Sequence, residues 1–295
     1  MVGLRVLLLS AFTLFSSSTW AITVLTTVKP IQMLTYELVN GVGSTEVLLE
    51  NNASPHDYAL RPSDLKKINS ADVIVWFGEG LEPFMSKIMD QQNQEKIITV
   101  SQLNDVPLRH FDETHHDDGH NHGNEDPHFW LGSSAAKAVA RHISQKLSAI
   151  DSRHAEQYQA NLNKFLANLA ETEQQISVKL QPFQTSPYYV FHDAYGYFEN
   201  QYGLNKLGFF TVSPERKPGA KTLISIRKAL SAEENICVFA EPQFKPAVID
   251  SVTRGTSAKI GILDPLATDI KVESGSYMVF LNSLADSFAN CFKAE

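Results

Sequence analysis

The sequence predicts an α/β protein of two lobes with mainly parallel sheets, joined by one long, rigid α-helix and facing each other across a cleft. Three observations carry that reading. Short strand patterns alternate with helical patterns in the first half of the chain, and the alternation resumes beyond Pro187; such alternation argues for parallel sheets covered on both faces. Between the halves, Ala155, Tyr158, Leu162, Phe165, Leu169, Ile176 and Leu180 recur at spacings of three, four and seven, which marks one face of a continuous helix. With 295 residues and 43% hydrophobic content, the chain can fill the cores of one large or two medium domains.

Taken in order, residues 1–21 read as a secretory signal. Arg5 precedes the apolar run Val6 to Phe15, and small residues at Thr19 and Ala21 suit cleavage after Ala21. The apolar run is too short to span a bilayer, and no later stretch reaches the roughly 18 apolar residues that a spanning helix needs. An uncleaved membrane-proximal tail is the alternative.

Residues 22–150 form the first lobe. "ITVLTTVKPIQMLTYELVNGVG" reads as a strand, a turn at Lys29-Pro30 and an amphipathic helix stopped by Gly41 and Gly43. "EVLLE" is a short strand, "RPSDLKKINSA" a helix with Ser63 as N-cap, "DVIVWFG" a buried strand, "LEPFMSKIMDQ" a helix and "KIITV" a strand. A histidine- and acid-rich segment, about 110–125, interrupts this lobe. The linking helix takes residues 151–181, within a stretch from 133 that has almost no turn signals and allows 30 residues or more of helix. Residues 182–295 form the second lobe, from "YYVFHDAYGYF" to a final helix around "YMVFLNSLADSFANCF".

Charge and cysteine content narrow the function. The full chain carries a net charge of −8, and removing residues 1–21 deletes only Arg5. An acidic protein of this kind is poorly suited to nucleic acid. The two cysteines, Cys237 and Cys291, are an even pair in an exported chain and are expected to bond. That bond closes a loop of about 54 residues, worth on the order of 3–4 kcal/mol in the chain-entropy picture. Two free buried thiols are the alternative.

In open α/β sheets ligands gather beyond the carboxyl ends of strands. Four polar residues stand there or in comparable connections: His56 after "EVLLENNASP", His128 in "DPHFWL", His192 in "VFHDAYGYF" and Asp264 closing "KIGILD". Two come from each half, so they converge only between the lobes. Three imidazoles and one carboxylate suit a four-coordinate zinc ion, which favours nitrogen, whereas manganese or calcium would draw more oxygen. Simpler roles stay open: His192 as a satisfied core group, His56 as a loop residue, Asp264 as a cap on the following turn. His142 and His154 read as solvated surface. Glu79 and Glu82 either line the cleft mouth or stabilise a helix N-terminus, and Asp193 and Trp130 are candidates to support the ligands beside them.

The segment around 110–125 holds His115, His116, His120 and His122 among Asp, Glu, Asn and Gly, with no apolar residue after Phe111 to fix a geometry. It reads as a mobile loop able to bind metal loosely, whether to scavenge, deliver or sense it. A soluble insert with incidental metal affinity is the alternative.

The stretches "SPHDYALRPSDLKKINSADVIVWFGEGLEPF", "DPHFWL", "FHDAYGYFENQYGL" and "FAEPQFKPAVIDSVTRGTSAKIGILDPL", with the histidine/acid insert, resemble the periplasmic zinc-binding receptors of ABC importers, within the cluster A-I metal receptors. The resemblance runs in order through essentially the whole mature chain. It implies two lobes bridged by a long helix and zinc held in the cleft by His56, His128 and His192. Manganese-binding relatives place a carboxylate where this chain has His192. Some relatives carry a metal-reaching glutamate before the first histidine, where this chain has Pro55, so the fourth ligand is expected from Asp264 or a water.

The implied activity is capture, not conversion, by a periplasmic monomer that docks on an inner-membrane zinc permease driven by a separate ATPase; a periplasmic zinc chaperone is a further expected partner. Binding is expected to weaken below roughly pH 6.5, where free imidazole charges. A zinc hydrolase and a metal-binding surface adhesin are the rival readings, although no HExxH-type motif is present.

Overall fold

The computed structural model describes residues 21–50, 53–111, 125–212, 214, 217–244 and 247–293. The proposed signal, apart from Ala21, and the loop residues His115, His116, His120 and His122 lie outside the described residues. Among the described residues no helix is long and apolar enough to cross a membrane.

The first sheet has strand order β2-β1-β3-β4, all parallel: β1 Ile22–Thr26, β2 Gly43–Val47, β3 Val73–Trp76 and β4 Ile97–Thr99. The second repeats the pattern as β6-β5-β7-β8, again all parallel: β5 Tyr188–His192, β6 Lys206–Thr211, β7 Cys237–Ala240 and β8 Lys259–Ile262. The central strands β1, β3, β5 and β7 read as near-continuous apolar sequence because both of their faces are covered, whereas the edge strands β2 and β8 alternate between half-buried and exposed residues. Val24, Val73 and Val75 face inward to a core shared with the helices, while Leu25, Ile74 and Trp76 pack into a separate outer cluster.

Local chemistry moved several element ends. β2 begins at Gly43, ahead of the "EVLLE" expected from sequence, because β1 pairs Ile22 with Gly43 and Thr26 with Val47. A Cβ at Gly43 would stand 2.8 Å from the Ile22 backbone oxygen, so the close approach requires glycine. Leu48 and Leu49 leave the ladder but still donate to Thr26 and Thr27 carbonyls. The helix α2, Pro62–Ser70, is capped by Arg61, not Ser63: the Asp64 carboxylate accepts the Arg61 N–H at 2.8 Å while Pro62 opens the helix. "LEPFMSKIMDQ" shortens to a 3₁₀ turn, Pro83–Met85, followed by α3, Ser86–Met89.

The helical stretch from 133 onward divides into α4, Ser133–Ile150, and α5, Ala155–Leu180. The break is at Asp151, whose carboxylate binds the His154 ring at 2.6 Å and the Tyr158 hydroxyl at 3.0 Å. α5 is therefore 26 residues, shorter than the 30 or more that the pattern allowed, and spans about 39 Å. It buries Tyr158, Leu162, Phe165, Leu169, Ile176 and Leu180. These side chains join one apolar core that also takes in Val24 and Val73 of the first sheet, Tyr188 and Phe239 of the second, and Phe280 and Phe288 of the last helix, α9, Ser276–Lys293. The lobes are thus packed on a common helical layer, and the Cys237–Cys291 disulfide fastens α9 to β7.

Candidate metal centre

Three connections deliver three imidazoles to one point. His56 lies in the turn after β2 and is half-buried; His128 is 3% exposed and precedes the 3₁₀ turn Phe129–Leu131; His192 is 2% exposed at the end of β5. One ring nitrogen from each lies within 4.8 Å of the other two, and Nε2 of His128 is 3.4 Å from Nε2 of His192.

The other face of two of these rings is tied to buried carboxylates. Nδ1 of His128 meets Asp126 Oδ1 at 2.8 Å, and Nδ1 of His192 meets Glu241 Oε1 at 2.6 Å. A neutral imidazole that donates its Nδ1 hydrogen to a carboxylate presents a bare lone pair at Nε2. Two donor nitrogens turned toward one point, 3.4 Å apart, suit a shared cation. The arrangement is therefore a cation receptor, with the carboxylates fixing ring orientation and raising ligand basicity.

Electrostatics favour that state of the rings. Burial, reinforced by the neighbouring His192, holds the His128 imidazole well below its usual range, so it stays neutral as pH falls past 6.5. Loss of this ligand to protonation is expected further into acid than free imidazole suggests. Burial pushes the Asp126 carboxyl up to about 7, against the pull of Arg109 and the His128 N–H.

The cavity over the histidines is walled by Pro55, Phe244, Pro265 and Leu266 and has room for about one water-sized occupant. Asp264 is not in the group of described residues whose ligand atoms lie within 4.8 Å of one another. Its Oδ1 accepts from Gln243 Nε2 at 2.6 Å and the Leu266 N–H at 3.0 Å, and its Oδ2 accepts the Thr268 N–H. Those bonds serve the turn-capping role weighed for it in the sequence.

Other candidates fall elsewhere. Glu79 is exposed, and Glu82 is wholly buried, accepting from the Thr27 hydroxyl and the Gly78 N–H; neither lines the cavity. Asp193 turns to Lys206 and Arg109 and not to a ligand ring. Trp130 packs edge-on against His128 and donates its indole N–H to the Pro265 carbonyl at 2.9 Å. His142 and His154 are partly exposed, each paired with an aspartate, Asp105 and Asp151. Sequence reasoning missed Asp126 and Glu241. The available signal was an acid two residues before His128 in "DPH" and an acid directly after β7 in "FAEP".

The family described as zinc-uptake complex component A, periplasmic, matches residues 24–291. The chain belongs to this family. The high-affinity zinc uptake system protein ZnuA of Yersinia pestis is 41% identical to it over 99% of this chain and 96% of that protein. The ZnuA of Haemophilus ducreyi is also 41% identical, over 91% of this chain and 92% of its own length. A solved ZnuA deletion mutant with zinc bound superposes with a TM-score of 0.76 at 26% identity, over 93% of this chain and 99% of that one. Membership in the zinc-uptake component A family and the two-lobe fold therefore agree with the three-histidine geometry.

Proposed function

We propose that this protein is a periplasmic zinc receptor that captures one zinc ion between its lobes and delivers it to an ABC importer for high-affinity zinc uptake. The single observation that carries the reading is the convergence of three imidazoles, two of them held by buried carboxylates with their Nε2 atoms 3.4 Å apart. Three neutral nitrogen donors suit zinc better than manganese or calcium. Zinc-uptake relatives at 41% identity support the same cargo.

The ligand shell is His56, His128 and His192, completed by a water, because both oxygens of Asp264 are engaged in holding the turn after β8. The receptor acts as a monomer, takes zinc directly or from a periplasmic zinc chaperone, and docks on an inner-membrane permease powered by a separate ATPase. Cleavage after Ala21 releases it, and His115, His116, His120 and His122 add weak accessory binding. A hydrolase reading lacks support: Glu79 and Glu82 stand away from the cavity, and relatives of this family are uptake components.

The test is the metal content of the mature protein purified without added metal. One zinc per chain is expected. Protein that carries no zinc and takes up none at neutral pH, or that prefers manganese when both are offered, would overturn the proposal.

A further inference from the structure

Arg109 lies outside the ligand set, yet it is seated with unusual care. Its guanidinium meets Asp126 Oδ2 at 2.9 Å and faces Asp193 Oδ2 at 3.8 Å. Asp126 is the residue whose other oxygen holds the His128 ring, and Asp193 directly follows His192. The backbone around Arg109 is pinned as well: its N–H donates to the Tyr197 hydroxyl at 2.8 Å, that hydroxyl donates to the Asp126 carbonyl at 2.8 Å, and the Asp126 N–H donates to the Arg109 carbonyl at 2.7 Å. Tyr197 belongs to α6, Gly196–Tyr202, in the second lobe.

The seat is also shaped for the guanidinium. A Cβ on Gly196 would stand 2.3 Å from the Arg109 Cζ, so a side chain at the start of α6 would push the guanidinium out of this seat. Lys206 supplies a second cation, bonded to the other oxygen of Asp193 and to Glu199 at 2.7 Å. Arg109 reaches Asp126 with Nη1 and Asp193 with Nη2, a spacing set by the planar guanidinium that the single nitrogen of a lysine at this position does not reproduce.

We propose that Arg109 is a positioning residue for metal capture: without touching the ion, it ties the segment carrying His128 to the strand end carrying His192 and so fixes the gap between their ring nitrogens. A merely structural ion pair would contribute to folding and leave the metal's coordination unchanged. The inference rests on the zinc-receptor reading.

The test uses the mature chain with Arg109→Lys, which keeps the charge but loses the fork, and with Gly196→Ala, which keeps the arginine but displaces it. Zinc affinity is measured against a competing chelator, and cobalt(II) reports ligand geometry through its visible absorption. Removing outer partners of metal ligands typically costs about 10–100-fold in affinity, and about tenfold weaker zinc binding with shifted cobalt bands is expected for both variants. If one variant fails to fold, the other decides. Zinc binding within about twofold of wild type together with an unchanged cobalt spectrum, whatever the melting temperature, would overturn the assignment. A wild-type chain that takes up no zinc would instead remove the receptor reading on which the inference stands.

Discussion

Each lobe sets a buried acid beyond the carboxyl end of a central strand, and the two use it differently. In each sheet the first strand of the half, β1 or β5, lies beside the strand that follows the next crossover, β3 or β7. In the first lobe Glu82, beyond β3, accepts the hydroxyl of Thr27, just past β1. In the second lobe Glu241, directly after β7, receives the ring N–H of His192 at the end of β5. Both acids are nearly inaccessible, at 0% and 4% exposure. A hydroxyl paired with Glu82 closes a connection, and an imidazole paired with Glu241 turns its second nitrogen toward the other histidines. Strand-end topology offers the site; the side chain at the strand end decides whether it binds an ion.

Substitutions can break or sharpen this contrast, ranked by their effect on zinc affinity. His192→Ala removes a ligand and is expected to cost the most. The ~10–16 kcal/mol of a structural zinc site shared among four ligands is about 3 kcal/mol each, a loss on the order of 100-fold or more, read by chelator competition. Glu241→Gln leaves a weaker partner on the His192 ring, and about 10-fold or greater weakening is expected by the same titration. Asp264→Asn should change zinc affinity by about threefold or less, because its oxygens serve backbone N–H groups and Gln243; it should lower unfolding stability by about 1–3 kcal/mol through an orphaned donor. A loss as large as that of His192→Ala would return Asp264 to the ligand shell.

Glu82→Gln should leave zinc affinity unchanged; its amide orphans one buried donor, which lowers stability at every pH, and it removes the carboxyl's contribution to the pH dependence of folding. Burial pushes the Glu82 carboxyl up from 4.5 to about 7. The unfolded chain therefore releases this proton first, and stability falls as pH rises between those values, by on the order of 3 kcal/mol in all. Denaturant unfolding at pH 5 and pH 8 should show that part of the decline in wild type and not in the variant. Equal pH slopes would remove the Glu82 account.

Much of this molecule was legible in its sequence, for identifiable reasons. The repeated strand and helix pattern gives two parallel sheets because burial on both faces leaves a continuous apolar signature in "VIVW" and "CVFA". The helical stripe that ends at Leu180 marks α5 because one face packs into the shared core. The break at Asp151 escaped notice because it depends on one carboxylate binding His154 and Tyr158 after the chain has turned.

Within the site, histidines stand out as residue types, and His192 ends a strand. Asp126 and Glu241 do not stand out, because an acid becomes a partner of an imidazole only through a distance that folding sets. Asp264 shows the converse: its place after β8 invites a ligand role, and its bonds to the N–H groups of the following turn are set only by the fold.

The central claim is that imidazoles from both halves of the chain hold one zinc ion. X-ray absorption at the zinc edge, on the 1:1 complex of mature protein lacking residues 112–124, tests it directly. Deleting the segment removes its histidines from the spectrum. The account predicts three imidazole nitrogens at about 2.0–2.1 Å and one further light-atom ligand. A shell with fewer than three imidazoles, or failure of the shortened protein to bind zinc tightly, would contradict it.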